Sequence, residues 1–215
     1  MSDTQLQKAV LEELNWEPSL TAAHIGVSAN DGVVTLTGHV GTYVEKFAAE
    51  KATRRIKGVR AVVEELEVRL PNHLTRQDDE IAKVAVDHLA WNASLPKDAI
   101  IVKVEKGWIT LSGQVTWNYQ REMAERDLRD LSGVIGLTNH IAITPKMDVG
   151  DLSDSIRHAL DRSRFTDPKT IDISAVGGNI HLTGTVHSWH ERNVADVAAW
   201  SAPGVSSVVN DLMVA

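Results

Sequence analysis

Cysteine is absent from all 215 residues, which excludes disulfides, thiolate catalysis and cysteine-based zinc sites. Long apolar runs are missing too. No stretch approaches the roughly 18 to 20 residues of a membrane span, so no transmembrane segment is expected. Positive charge is in the minority, with 22 Lys and Arg against 29 Asp and Glu and a net charge of −7. Nucleic acid is therefore not an expected partner, because phosphate recognition needs a concentrated basic surface. Whole-protein attraction to anionic membranes is equally unsupported, which leaves only a local basic patch for that role. Hydrolase and nucleotide-binding signatures such as Gly-x-Ser-x-Gly, His-Glu-x-x-His and Gly-x-x-x-x-Gly-Lys do not occur. The chain is expected to be no enzyme and to carry no cofactor. The start, Met-Ser-Asp-Thr-Gln, shows no basic segment followed by an apolar one, so a cytoplasmic location is the expectation, with a peripheral-membrane or periplasmic one as the alternative.

What the chain does have is a repeat. Gly32-Val33-Val34-Thr35-Leu36-Thr37-Gly38 recurs as Gly107-Trp108-Ile109-Thr110-Leu111-Ser112-Gly113 and again as Gly178-Asn179-Ile180-His181-Leu182-Thr183-Gly184. The shifts are 75 and 71 residues, and they also relate Gly58-Val59, Gly133-Val134 and Gly204-Val205. The first two copies align without a gap from Leu6 and Ile81 to Leu66 and Ile141; the third loses four residues before its first strand. Prolines and polar stretches mark the boundaries. Three domains are expected at 1–71, 79–145 and 151–215, joined by linkers at 72–78 and 146–150.

Each copy opens with an amphipathic helix. Leu6, Val10 and Leu14 share a face, as do Ile81, Ala85 and Leu89, and Ile156 and Leu160. Ser2/Asp3, Asp78/Asp79 and Asp151/Ser153 are N-cap candidates. Two strands follow around a hairpin turn, Asn30-Asp31-Gly32 in the first copy and Lys106-Gly107 and Gly177-Gly178 in the others. A second helix from about Tyr43 to Lys57 has Ala48, Ala49, Ala52 and Ile56 inside; Met123, Ala124 and Leu131, then Val194, Ala195, Ala198 and Ala202, are the expected counterparts. The glycine at 58, 133 or 204 is expected as its C′ residue. A third strand closes the unit, with Val62, Leu66 and Val68 alternating. The expected fold is α+β: three tandem α-β-β-α-β modules, each a small three-stranded sheet covered on one face by two helices. Only one residue set per strand is consistently apolar, so the other sheet face stays open.

With these elements in place, the motif Gly-x-Val-x-Leu-x-Gly-x-Val, read across Gly32–Val40, Gly107–Val115 and Gly178–Val186, resembles the BON domain of bacterial osmotically induced and nodulation proteins. A closing asparagine, Asn139 and Asn210, fits the resemblance, and Glu64 in the first copy departs from it. The resemblance implies a bacterial protein without catalytic activity that binds phospholipid or envelope components, in osmotic or envelope stress and permeability. It also implies alternatives: an oligomeric or pore-linked association module, as in secretin and mechanosensitive-channel proteins, or a cytoplasmic ion or osmotic sensor, as in a potassium-binding relative that adds a LysM domain. Anionic phospholipid, an envelope protein and further copies of the chain are the partners it implies.

Candidate contact residues are those that differ between copies. Trp108 occupies an outward register shared with Val33 and Asn179. Tyr43, Trp117 with Tyr119, and Trp189 each place an aromatic near the start of a second helix. Lys51, Arg54 and Arg55 share a helix face that would suit anionic headgroups or simply face solvent. Trp16 and Trp91, at equivalent helix ends, are expected in the core, and Trp200 is expected at the surface. His187 and His190 align with no histidine or carboxylate in the other copies, and no metal site is expected of them.

Overall fold

The computed structural model describes residues 2–144, 149–162 and 170–214. Its elements run α1 (Asp3–Trp16), β1 (Ile25–Asn30), β2 (Val33–Val40), α2 (Tyr43–Arg54) and β3 (Ala61–Val68). They repeat as α3 (Asp78–Trp91), β4 (Ile100–Glu105), β5 (Trp108–Val115), α4 (Asn118–Arg129) and β6 (Gly136–Ile143). The third set is α5 (Val149–Asp161), β7 (Ile171–Val176), β8 (Asn179–Val186), α6 (Trp189–Trp200) and β9 (Ser207–Val214). Three separate three-stranded sheets result, ordered β1-β2-β3, β4-β5-β6 and β7-β8-β9. The chain is α+β and built of three α-β-β-α-β modules.

In the first and third modules the first two strands pair antiparallel and the last two pair parallel, so the second helix is the crossover. Asn30 pairs with Val33 across a two-residue turn in which Asp31 and Gly32 both have positive φ, 48° and 80°. That is the left-handed geometry that matches strand twist. Alternation then decides burial. Val34, Leu36 and Val40 pack with Leu6, Val10, Leu14, Ala49, Ala52 and Leu66 in one core. Ile180, Leu182 and Val186 do the same with Ile156, Leu160, Ala195, Ala199 and Leu212. Residues of the opposite register, including Val33, Val63, Ile101, Val176, Val209 and Met213, are exposed. Helices cover one face and the other is open.

The second glycine of the repeat has a steric cause. A Cβ on Gly38, Gly113 or Gly184 would overlap a backbone carbonyl oxygen, that of His24, Ala99 or Thr170, far inside the 3.0 Å that real Cβ atoms keep. All three also have φ above 100°. The close approach of the residue before the first strand therefore dictates the motif.

Several local expectations are corrected. α2 ends at Arg54, and Gly58 sits in the turn beyond it rather than at C′. On α4 the buried apolar side chains are Ala124 and Leu128, one turn apart, while Met123 and Leu131 are half-buried. Ser2 caps α1 with a full capping box through Gln5. Asp78, by contrast, is the first residue of its helix, and its carboxylate accepts from the amides of Lys106 at 2.7 Å and Gly107 at 2.8 Å. It fastens the hairpin turn to the helix. Asp151 and Ser153 fall inside α5, and Pro145 with positions 146–148 lies outside the described residues.

The tryptophans at the helix ends are the largest correction. Trp16 is 84% exposed and Trp91 89%. Each lies two residues, about 200° of helix rotation, past the buried Leu14 or Leu89, which turns it away from the sheet.

The closing asparagine ties helix to strand. Asn139 Nδ2 donates to the Arg121 carbonyl at 2.9 Å, and its Oδ1 accepts from the Ile141 amide at 3.1 Å. Asn210 bonds the Arg192 carbonyl and the Leu212 amide in the same way, both at 3.3 Å. Glu64 in the first module has no donor to offer. Instead Lys46, at the position of Arg121 and Arg192, places Nζ 3.2 Å from Glu64 Oε1 and donates to the Leu66 carbonyl at 2.8 Å. Burial pushes the Glu64 carboxyl above its ordinary range, with Lys46 opposing.

Candidate functional site

The second helices of the first and third modules start alike. Thr42 Oγ1 accepts from the Glu45 amide at 3.2 Å, and Ser188 Oγ from the Glu191 amide at 3.1 Å. The glutamates reach back, Glu45 Oε2 to the Gly41 amide at 2.6 Å and Glu191 Oε2 to the His187 amide at 2.8 Å. In the middle module the return half survives, since Gln120 Oε1 accepts from Thr116 and Trp117 at 3.1 and 3.2 Å. The capping hydroxyl is gone, replaced by Trp117. An oxygen at this position stabilises a helix by about 1 kcal/mol, so the substitution has a cost in stability.

Two compact units divide the chain, one of Met1–Asp87, Lys103–Thr110 and Asp127–Thr138, the other of His88–Val102, Leu111–Arg126 and Asn139–Ala215. Within the second unit Trp117 borders a groove of about 590 Å³. Asn118, Tyr119 and Glu122 from the start of α4 line it, as do Asp196 and Trp200 from α6. The Trp117 and Tyr119 ring centroids are 6.3 Å apart and tilted by 37°. Arg121 holds its guanidinium carbon 5.4 Å from the Trp200 ring centroid, so that ring already takes one cation. Asp196 Oδ1 accepts from Asn210 Nδ2 at 3.1 Å.

Asn118 is only 4% exposed. Its Nδ2 donates to Glu122 Oε1 at 2.8 Å, and its Oδ1 has no hydrogen-bond partner among the described residues. The orientation of the amide is not arbitrary. An ionised glutamate only accepts, so Glu122 requires the NH₂ on its side and leaves the carbonyl oxygen as the orphan.

The other candidate residues are spread over the surface. Trp108 lies on the open face of its sheet, its Nε1 donating to Thr138 Oγ1 at 2.9 Å and its ring lying over Gly136, where a Cβ would collide with it. Trp189 is 71% exposed and Tyr43 half-buried, at equivalent helix starts. Lys51 is exposed. Arg54 pairs with Glu50 at 2.6 Å, and Arg55 with Glu13 and Glu17 at 3.1 and 2.8 Å. Hydrogen bonds from Ser19 and Arg55 hold the Glu17 carboxyl below its ordinary range. No cluster of three or more His, Cys, Asp or Glu side chains suited to a metal occurs among the described residues, and His181 pairs with Asp211 at 2.7 Å. No helix among them is long and apolar enough to cross a membrane.

The BON domain family model matches three times, at residues 2–69, 77–145 and 148–215. The chain belongs to the BON domain family. No curated protein matches it. Among solved structures it is similar to CdsD, a structural protein of the type III secretion system of Chlamydia trachomatis. Identity is 17%, 98% of this chain and 92% of that one are covered, and the TM-score is 0.27. A second structure, the C-terminal domain of CdsD, gives 17% identity, full coverage of both chains and the same TM-score of 0.27. Neither likeness carries an argument about function. The BON modules here share their folding residues and differ in the aromatics at the start of the second helix.

Proposed function

We propose that this BON protein is a non-catalytic binding and adaptor protein that engages phospholipid or other envelope components through exposed tryptophans. The carrying observation is the pair Trp16 and Trp91, at equivalent helix ends and 84% and 89% exposed. An indole with an apolar body and a polar N–H suits the headgroup region of a bilayer, and so large a ring is otherwise rarely left in water. The basic face of α2 is a weaker contributor, since Arg54 and Arg55 are engaged with Glu50, Glu13 and Glu17. Binding is then expected to depend on aromatic insertion more than on charge.

The test is vesicle flotation of the full chain with zwitterionic and with anionic vesicles, at low and high salt, read alongside tryptophan emission. Flotation with both lipids, a blue shift, and loss of both effects in a Trp16→Ala/Trp91→Ala variant are expected. No flotation with either lipid at low salt would refute the lipid reading. One observation favours a second reading, association through the open sheet faces: Ile101, Val176 and Met213 are exposed there. That reading predicts a native mass above 23.5 kDa that falls to the monomer value in Trp108→Ala.

A further inference from the structure

We propose that the groove of the second unit is a binding site for a small soluble primary amine, held as its alkylammonium ion. This reading is independent of the lipid one and uses different residues. Three features of the groove converge on that chemistry. Glu122 and Asp196 put two carboxylates on its wall, where the described lining residues include no Lys or Arg and the Arg121 guanidinium is engaged over Trp200, so a cation is favoured over an anion. Trp117 and Tyr119 present aromatic faces, which attract an ammonium group and accept an aliphatic stem. Asn118 lines the groove, and its buried Oδ1, without a donor among the described residues, would be satisfied by an N–H or O–H of an occupant that reaches it. A primary ammonium supplies that donor and the positive charge together, whereas a quaternary ammonium supplies only the charge. The volume of about 590 Å³ lies in the range of small-molecule sites.

The helix ends have opposing effects. The C-terminal half of α6 brings Asp196 and Trp200 and favours a cation. The start of α4 favours an anion, but the amides of Thr116 and Trp117 that precede it are already taken by Gln120 Oε1. The two carboxylates decide the sign.

The experiment is calorimetric and tryptophan-fluorescence titration of the full chain at pH 7 with n-butylamine and 1,4-diaminobutane. Tetramethylammonium serves as the cation without N–H. Saturable binding of the amines is expected, weaker by about tenfold for tetramethylammonium because the charged hydrogen bond to Asn118 is lost. Glu122→Gln and Tyr119→Ala change exposed residues and are expected to fold; each should weaken amine binding several-fold, while Lys8→Gln, far from the groove in sequence and exposed, leaves it unchanged. Absence of saturation up to about 10 mM amine, a range reaching well past the affinity of weak small ligands, would overturn the site. So would equal binding of tetramethylammonium, unchanged affinity in Glu122→Gln and Tyr119→Ala, or binding only to phosphatidylethanolamine vesicles and not to the free amines.

Discussion

Replacing Gly113 by alanine tests the steric account of the repeat most directly. The perturbation adds one methyl group at a φ of 132°, a region L-residues avoid, and directs it at the Ala99 carbonyl oxygen. Neither obstacle can rotate away, because both belong to backbone held by the sheet. Holding a non-glycine residue in such a region costs about 1–3 kcal/mol. Forcing an extra carbon into a packed site costs about 1–3 kcal/mol more. A loss of about 4 kcal/mol is therefore expected, with Gly38→Ala and Gly184→Ala giving the same in their own modules. Gly177→Ala is the control. Its φ of 56° is also positive, but nothing lies within 4 Å of the added Cβ, so only left-handed strain of about 1 kcal/mol applies. Urea unfolding followed by tryptophan emission and far-UV dichroism reads the difference. At a slope near 2 kcal/mol per molar urea, the affected module should melt about 2 M earlier, as a separate transition. A Gly113→Ala chain that melts no earlier than Gly177→Ala would show that the carbonyl does not dictate the glycine.

Three further outcomes follow from the same geometry. Gly136→Ala should destabilise on its own because Trp108 covers the site, and Trp108→Val should rescue it, since Val33 sits beside Ala61 at the matching place in the first module; a non-additive double-mutant cycle in urea melts is the readout, and strict additivity would refute the contact. Asn139→Leu should lose about 1–3 kcal/mol by leaving the Ile141 amide without the Asn139 oxygen and cutting the tie to the Arg121 carbonyl, measured as a lower urea midpoint; an unchanged midpoint would show that water replaces the side chain. Glu64 has a folded pKa raised above its ordinary 4.5 by burial, so the folded state binds its proton more tightly and this group's contribution to stability declines as pH rises from about 4.5 through the raised value; the stability of Glu64→Gln relative to the parent should therefore grow across that window, and a pH-independent difference would refute the assignment.

The fold was legible because its determinants are periodic. Alternation in β2 and the i, i+4, i+8 spacing of Leu6, Val10 and Leu14 fix which side is buried, and a threefold repeat makes each such reading three times over. What failed was set by angle rather than residue type. Trp16 and Trp91 read as core because they are large and apolar, yet their rotation from Leu14 and Leu89 points them to water. Leu131 aligns with Ile56, which lies beyond the helix end at Arg54 where helical spacing no longer applies, so Leu128, one turn past Ala124, is the buried residue. Half of the groove was visible in Trp117 and Tyr119. Asp196 and Trp200 lie some 80 positions downstream, and only tertiary structure brings them into it. A usable signal did exist: Thr42 and Ser188 stand three residues before Glu45 and Glu191, whereas Trp117 stands three before Gln120.

That broken capping box bears on how the three modules diverged. All three face the same folding constraints, and those constraints account for the glycines, the apolar alternation and the asparagine clamp, which is kept in altered form even where Glu64 and Lys46 replace it. They do not account for Trp117. A hydroxyl there would stabilise α4 by about 1 kcal/mol, and two sister modules show that the fold accommodates one. The adjacent Asn118 compounds the loss, because a buried carbonyl oxygen without a donor costs a further 1–3 kcal/mol or so, where Tyr43 and Trp189 at the matching positions bury no such group. Two neighbouring departures, both destabilising and both on the wall of one groove, are hard to reconcile with drift under selection for folding alone. They are what an occupant would explain, because a bound donor satisfies Asn118 and an aromatic wall contributes where a capping hydroxyl would not. Trp117→Thr/Asn118→Tyr should therefore give a middle module with a higher urea midpoint that no longer binds n-butylamine, and an unchanged midpoint with unchanged amine binding would refute the trade.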